Sequence, residues 1–145
     1  MEKLPKVLLV DDEAAFTDGL ARILEHRGFD VQVAGDGLSA LPLIAQQDFD
    51  VLVLDIKMPG MDGLSVFAES KRLAPRTRVI LLTGHFSLDG DADSYDEVFA
   101  YLFKPLPIAK LVEVIAAAAA DAQSERDGQG SPDDPGSRAG SGPAS

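Results

Sequence analysis

Apolar and polar positions follow two alternating patterns along most of the chain. Short runs of Val, Leu and Ile bounded by turn-forming residues predict buried strands. Longer segments with apolar residues three and four positions apart predict amphipathic helices. The predicted strands are Lys6–Val10, Asp30–Ala34, Asp50–Leu54, Arg78–Leu82 and Ala100–Phe103; the predicted helices are Ala14–His26, a helix capped by Asp36 that runs to about Gln47, Gly63–Leu73, and Pro107 to about Ala122.

This alternation of strands and helices predicts an α/β fold with a doubly wound parallel sheet. Five strands fit the flavodoxin-like (βα)5 arrangement with strand order 2-1-3-4-5. One unit is weak, because Ser87–Glu97 has little apolar periodicity and contains the helix breaker Gly90. We therefore expect a short or irregular fourth helix there. Pro42, inside the second predicted helix, removes a backbone donor and should bend that helix.

Charged and hydroxyl side chains follow the strands at their carboxyl ends. Asp11 and Asp12 follow the first strand, Asp55 the third, Thr83 the fourth and Lys104 the fifth. Open α/β sheets bind ligands outside the carboxyl ends of their strands, and the order 2-1-3-4-5 places strand 1 beside strand 3. The three carboxylates should therefore converge, with the hydroxyl and the ammonium beside them. This set of groups is typical of a phosphoryl-transfer site.

Composition and charge narrow the range of functions. The 145 residues carry a net charge of −11, which argues against binding nucleic acid through phosphate contacts. The chain has no cysteine, which excludes disulfides and thiolate metal sites. No apolar stretch approaches the ~20 residues of a membrane span, and the first strand follows the amino terminus too closely for a signal peptide. We therefore expect a cytoplasmic protein that makes no direct contact with membranes.

The carboxyl-terminal region has a different composition from the rest. Gly128–Ser145 is rich in Gly, Pro, Ser and Asp, which bury too little apolar surface to fold. We therefore predict a folded domain over residues 1–122 and a disordered tail over residues 123–145.

Five separated positions have the order found in a known family. They are Asp11-Asp12, Asp55, the loop Met58-Pro59-x-Met61-Asp62-Gly63, Thr83-Gly84 and Lys104-Pro105. Over about Lys6 to Ala120 the chain resembles the CheY-like receiver domains of response regulators in two-component signalling. The resemblance implies a phosphoprotein of a phosphorelay, whose phosphoryl donor is a sensor histidine kinase or a histidine phosphotransfer protein. The output is then altered binding of an unidentified downstream protein, or onward relay of the phosphoryl group.

The acidic residues form a pocket of oxygen atoms that suits a hard cation such as Mg²⁺. The resemblance implies that the ligands are Asp12, Asp55 and the backbone carbonyl of Lys57, with Asp11 acting through a water molecule. A second interpretation of Asp11 and Asp12 is capping of the following helix, where carboxylates favour the helix dipole.

The resemblance also assigns roles in catalysis and switching. Asp55 is the phosphoacceptor, while Lys104 and Thr83 contact the phosphoryl oxygens. Thr83 and Tyr101 form the switch pair: the hydroxyl moves toward the phosphoryl group and the aromatic ring rotates inward. The Lys104–Pro105 bond resembles the cis peptide of the family, which would aim the ammonium into the site.

Two other functions remain as alternatives. A pseudo-receiver would act by binding partners without phosphorylation, although such proteins usually lose one of the acidic or lysine positions that are present here. An aspartyl-phosphate phosphatase of the haloacid-dehalogenase type would carry a second aspartate two residues after the nucleophile, and Lys57 occupies that position. We therefore expect a phosphoacceptor rather than a turnover enzyme.

Overall fold

The computed structural model describes residues 4–57, 63–84 and 98–130. Its strands form one five-stranded parallel sheet with the order β2-β1-β3-β4-β5, which confirms the predicted fold. The elements are β1 (Lys6–Val10), α1 (Ala14–His26), β2 (Asp30–Ala34), α2 (Gly37–Gln46), β3 (Val51–Asp55), α3 (Gly63–Leu73), β4 (Arg78–Thr83), β5 (Ala100–Phe103) and α4 (Ile108–Gly130). The helix expected over Ser87–Glu97 lies outside the described residues.

Helices cover both faces of the sheet, which explains why the central strands β1, β3 and β4 are apolar along their middle positions and polar only at their ends. On one face, Leu9 of β1 and Val53 of β3 pack against α1 and α4. On the other face, Leu8 and Leu54 pack against α2 and α3. Successive side chains of a strand point to opposite faces, so each strand contributes to both core clusters. This alternation also decides which face the residues at the strand ends share.

Local signals fix the ends of the first two helices as the sequence predicts. The Asp36 carboxylate accepts a hydrogen bond of 2.7 Å from the Ser39 N–H and caps α2. Gly28 follows α1 with a φ of 94°, a conformation that a side chain disfavours. α2 continues through Pro42 to Gln46. Among the described residues, no helix is long and apolar enough to cross a membrane.

The prediction that the last helix ends at about Ala122 is wrong. α4 continues to Gly130, so the predicted domain boundary at residue 122 falls inside this helix. Arg78, at the start of β4, donates hydrogen bonds of 2.7 Å to Asp121 Oδ2 and 2.6 Å to Glu125 Oε1. The contact with Glu125 lies beyond Ala122, the last alanine of α4, and no local sequence pattern predicts it. Residues 131–145 lie outside the described part of the chain.

Candidate functional site

Three charged side chains meet at the carboxyl ends of β1, β3 and β5. Lys104 Nζ lies 2.9 Å from Asp11 Oδ2 and 3.6 Å from Asp55 Oδ2. Each of these residues continues the set of alternate positions that faces α1 and α4, after Leu9, Val53 and Leu102. The neighbouring strands β1 and β3 therefore bring the two carboxylates together, and β5 supplies the ammonium.

Asp11, Asp12 and Asp55 form a cluster of possible metal ligands. One carboxylate oxygen from each lies within 4.8 Å of the others. Asp11 and Asp55 are buried whereas Asp12 is exposed. Three hard oxygen donors, one of them open to solvent, fit a magnesium ion that keeps part of its water shell. The Lys57 N–H donates a 3.2 Å hydrogen bond to Asp55 Oδ1, so the Lys57 main chain lies beside the same carboxylate.

The electrostatics of the site favour a bound cation. Burial raises the pKa of Asp55 to about 6, and repulsion from Asp11 acts in the same direction, against the attraction of Lys104. Burial by itself lowers the pKa of Lys104, but the hydrogen bond to Asp11 and the attraction of Asp55 outweigh it and raise that pKa overall. The ammonium is therefore charged, and it only partly offsets the negative charge around it. A divalent cation would complete that compensation.

Thr83 and Tyr101 lie on neighbouring strands and on the opposite face of the sheet from Asp55. β4 and β5 pair Leu81 with Tyr101 and Thr83 with Phe103. Leu81 and Tyr101 pack in the core cluster under α2 and α3, and Thr83 follows Leu81 at the next position of that face. Thr83 is buried and Tyr101 half-buried. The two residues of the predicted switch pair thus share one face of the sheet on neighbouring strands, offset by two positions along the ladder.

Comparison with known proteins decides the family. The family model of the response regulator receiver domain matches residues 7–116. The chain belongs to the response regulator receiver family. The DNA-binding transcriptional regulator NtrC of Escherichia coli (strain K12) is 34% identical over 121 residues, which are 83% of this chain and 26% of NtrC. The chain thus spans about a quarter of the length of that relative.

Two solved structures show the same fold. A CheY-like receiver domain protein from Methanospirillum hungatei JF-1 is 31% identical with a TM-score of 0.79, covering 85% of this chain and 99% of its own. The response regulator TrrA from Thermotoga maritima, in complex with Mg(2+)-BeF, is 29% identical with a TM-score of 0.71, covering 79% of this chain and 99% of its own.

Two neighbours of Lys104 in this receiver were not predicted from the sequence. Lys104 Nζ lies 3.2 Å from Glu13 Oε1 and 5.0 Å from the centre of the Phe16 ring, a cation–π distance. Glu13 follows the acidic pair directly, and Phe16 lies one helical turn later on α1. Glu13 and Phe16 lie close to Asp11 and Asp12 in the sequence, and that position marks them as candidates for the site. No sequence pattern predicts their contact with Lys104, which lies 91 residues after Glu13.

Gly63 brings the amino terminus of α3 close to the end of β3. The Gly63 N–H donates a 2.9 Å hydrogen bond to the Ile56 carbonyl. A Cβ at residue 63 would overlap the Asp55 carbonyl oxygen and lie 2.7 Å from Ile56 Cα. Only glycine permits this approach of the α3 amino terminus to the end of β3. Met58–Asp62 of the family loop lie outside the described residues.

The Lys104–Pro105 bond is cis, as the resemblance implied. The Lys104 N–H donates a 2.7 Å hydrogen bond to the Thr83 carbonyl, which ties the end of β5 to the end of β4. Next to this bond, the rings of Tyr101 and Phe103 pack with centroids 5.3 Å apart. Phe103, a residue that sequence reasoning missed, therefore supports the ring assigned to the switch.

Proposed function

We propose that this receiver accepts a phosphoryl group on Asp55 from a phosphohistidine, with Mg²⁺ bound to the acidic cluster. The donor is a sensor histidine kinase or a histidine phosphotransfer protein. The observation that carries the proposal is the buried Asp55 carboxylate, 3.6 Å from the Lys104 ammonium and within a cluster of three carboxylates. An ion pair that only stabilises a fold has one acid for one base. This site instead has three carboxylates beside one ammonium, in a partly buried position.

The transfer forms a bond between an Asp55 carboxylate oxygen and phosphorus and breaks the bond between phosphorus and the histidine nitrogen. The leaving imidazole takes up a proton. Lys104 pairs with one phosphoryl oxygen as negative charge moves onto the group, and the Thr83 hydroxyl donates a hydrogen bond to another. Both groups lie at the ends of strands that neighbour each other in the sheet, β4 and β5.

The acidic residues provide the cation site. Asp12, Asp55 and the Lys57 carbonyl would hold the ion, and Asp11 would act through a water molecule. Mg²⁺ bound there would supply the positive charge that offsets repulsion between the carboxylate and the anionic donor. Asp11 also lies 2.9 Å from Lys104, so this side chain orients the ammonium as well as belonging to the acidic cluster. The Mg(2+)-BeF complex of TrrA supports this assignment for a relative of the same fold.

The signal leaves through Thr83 and Tyr101. Movement of the Thr83 hydroxyl toward the phosphoryl group vacates space on the face that both residues share, and the Tyr101 ring turns into it. The changed surface alters binding of a downstream protein, or the phosphoryl group is relayed onward. We place this exchange in the cytoplasm and assign the chain a phosphoacceptor role rather than turnover of a substrate. We propose no direct contact with nucleic acid or membrane.

The test is intact mass after incubation with Mg²⁺ and acetyl phosphate, which transfers its phosphoryl group to an acceptor carboxylate and releases acetate. We expect one phosphoryl adduct on the wild type and none on Asp55→Ala, with both proteins folded by circular dichroism. A folded wild-type protein that gains no mass would exclude phosphoacceptor function and favour a partner-binding module.

A further inference from the structure

The ammonium of Lys104 is shared among three carboxylates that differ sharply in exposure. Its distances are 2.9 Å to Asp11, 3.2 Å to Glu13 and 3.6 Å to Asp55, and the side chains of these acids are 3%, 65% and 8% exposed. Asp11 and Glu13 accept hydrogen bonds from Lys104, whereas Asp55 makes only the longer ion contact. The resting ammonium is therefore nearer to a surface glutamate than to the phosphoacceptor.

Glu13 is held in place for this contact. It is the N-cap residue of α1, yet its side chain makes no capping hydrogen bond. Its N–H donates a 2.9 Å hydrogen bond to Asp11 Oδ1, which fixes the backbone next to the site. With its backbone fixed beside Asp11 and no capping hydrogen bond to make, the Glu13 carboxylate contacts Lys104 at 3.2 Å.

We propose that Glu13 is a positioning residue that holds Lys104 in a resting contact and competes with the incoming phosphoryl group for its ammonium. This inference rests on the proposed function. When phosphorus bonds to Asp55 and acetate or imidazole leaves, the Lys104 ammonium, which rests 3.6 Å from Asp55, must move toward a phosphoryl oxygen to donate a hydrogen bond to it. The ammonium has three N–H donors, so Glu13 competes by holding it in place and not by using up its donors. The buried contact with Asp11 is expensive to break, whereas the exposed contact with Glu13 is weak and is released first.

Glu13 therefore slows phosphoryl uptake by retaining the group that uptake requires. The effect on rate should be small, because exposed ion pairs contribute little free energy.

The first test compares initial rates of adduct formation with acetyl phosphate at saturating Mg²⁺. We expect Glu13→Gln to react ~2–5-fold faster than wild type, the range that an exposed ion pair supports. Glu13→Asp keeps the charge but loses the reach of one methylene, so it should match Glu13→Gln. Glu25→Gln, an exposed acid farther along α1, is the control and should leave the rate unchanged.

Three results would overturn the inference. They are a Glu13→Gln rate equal to or below that of wild type, a Glu13→Asp rate equal to that of wild type, and a Glu25→Gln rate raised as much as that of Glu13→Gln. The last two would mean that the charge repels the donor without competing for Lys104. A wild-type protein that takes up no phosphoryl group at all would instead overturn the proposed function, together with the competition that depends on it.

A second readout needs neither metal nor phosphoryl transfer. In metal-free protein, limiting acetic anhydride acylates free amines, and mass spectrometry of proteolytic peptides gives the extent at each lysine. Relative to Lys110 of the same molecule, we expect Lys104 to react ~2–5-fold faster in Glu13→Gln than in wild type, because the amine loses one of its two hydrogen-bonded acids. An unchanged ratio would show that Glu13 does not hold the lysine, whatever the phosphorylation rate.

Discussion

The two ends of the sheet arrange their charged side chains differently. At the carboxyl end, Lys104 contacts three carboxylates, two of them buried. At the amino end, Arg78 pairs with Asp121 and Glu125, and Arg76 lies 4.0 Å from Glu125. The acids of that second cluster have 54% and 37% of their side chains exposed. One cluster thus has an excess of buried acid, and the other has equal numbers of acids and bases near solvent.

This difference distinguishes a ligand-binding site from a structural clamp, by which we mean a set of ion pairs that only stabilises the fold. Balanced charges near solvent contribute modestly to stability and require no ligand. Buried acids in excess repel each other, so the folded protein remains under strain until a proton or a cation compensates them. The pKa of Asp55 is raised because burial and the charge of Asp11 disfavour its ionised form. We therefore expect the carboxyl end to bind a compensating cation, whereas the ion pairs of the amino end hold α4 in place.

The largest effect is expected when the base is removed from the carboxyl end. Lys104→Met should lower the rate of adduct formation with acetyl phosphate by about 100-fold or more, since a positioned cationic donor at the developing charge is lost. Lys110→Met removes an exposed lysine on α4 that is paired with Glu113 and should leave the rate within about twofold, as expected for an exposed pair. Equal rates for the two variants would contradict the role given to Lys104 within the acidic cluster.

The next largest effect concerns the pH dependence of stability in metal-free protein. The pKa of Asp55 is about 6 in the folded state, against an ordinary value of 3.8. The folded protein therefore holds this proton more tightly, so the stabilisation is present below pH ~4 and is lost as pH rises through ~6. Across that window, the free energy of unfolding of the wild type should fall relative to Asp55→Asn by about 2–3 kcal/mol.

Urea unfolding at several pH values in the presence of a chelator measures that difference. Saturating Mg²⁺ should reduce the pH dependence, because the cation replaces the proton as the compensating charge. A constant difference between wild type and Asp55→Asn from pH 4 to 7 would mean that the Asp55 carboxyl is not perturbed.

The smallest effect is expected at the amino end. Arg78→Met should lower the free energy of unfolding by about 1 kcal/mol, because partly exposed ion pairs are lost. It should also speed amide hydrogen exchange near Glu125, where α4 depends on this arginine. The rate of adduct formation should stay that of wild type. A change in that rate would show that the amino-end cluster is coupled to the site and is more than a clamp.

The sequence predicted which charged side chains meet at the carboxyl end of the sheet, because each of them directly follows or ends an apolar strand. Asp55 and Lys104 each end an apolar run, and strand order then determines which strand ends are neighbours. The same rules could not reveal Glu13 beside Lys104, since that contact depends on how α1 begins and on a side chain 91 residues away.

The end of α4 was missed for a related reason. Residues after Ala122 lack the apolar spacing that signals a buried helix face, so periodicity predicts an end there. The helix nevertheless continues to Gly130, and Arg78, 47 residues before Glu125, donates a hydrogen bond to that carboxylate beyond the predicted end. Polar contacts between distant segments leave no periodic pattern, so they become visible only in the folded chain.

We propose that Asp55, within the excess of buried acid at the carboxyl end, accepts the phosphoryl group. The most direct measurement treats the Mg²⁺- and acetyl phosphate-loaded protein with borohydride, which reduces an aspartyl phosphate to homoserine, and then maps tryptic peptides. We predict homoserine at residue 55, in the peptide Gly28–Lys57, and none in the peptide Val7–Arg22, which contains Asp11 and Asp12. Homoserine at Asp11 or Asp12, or at no aspartate in a folded protein, would contradict the account.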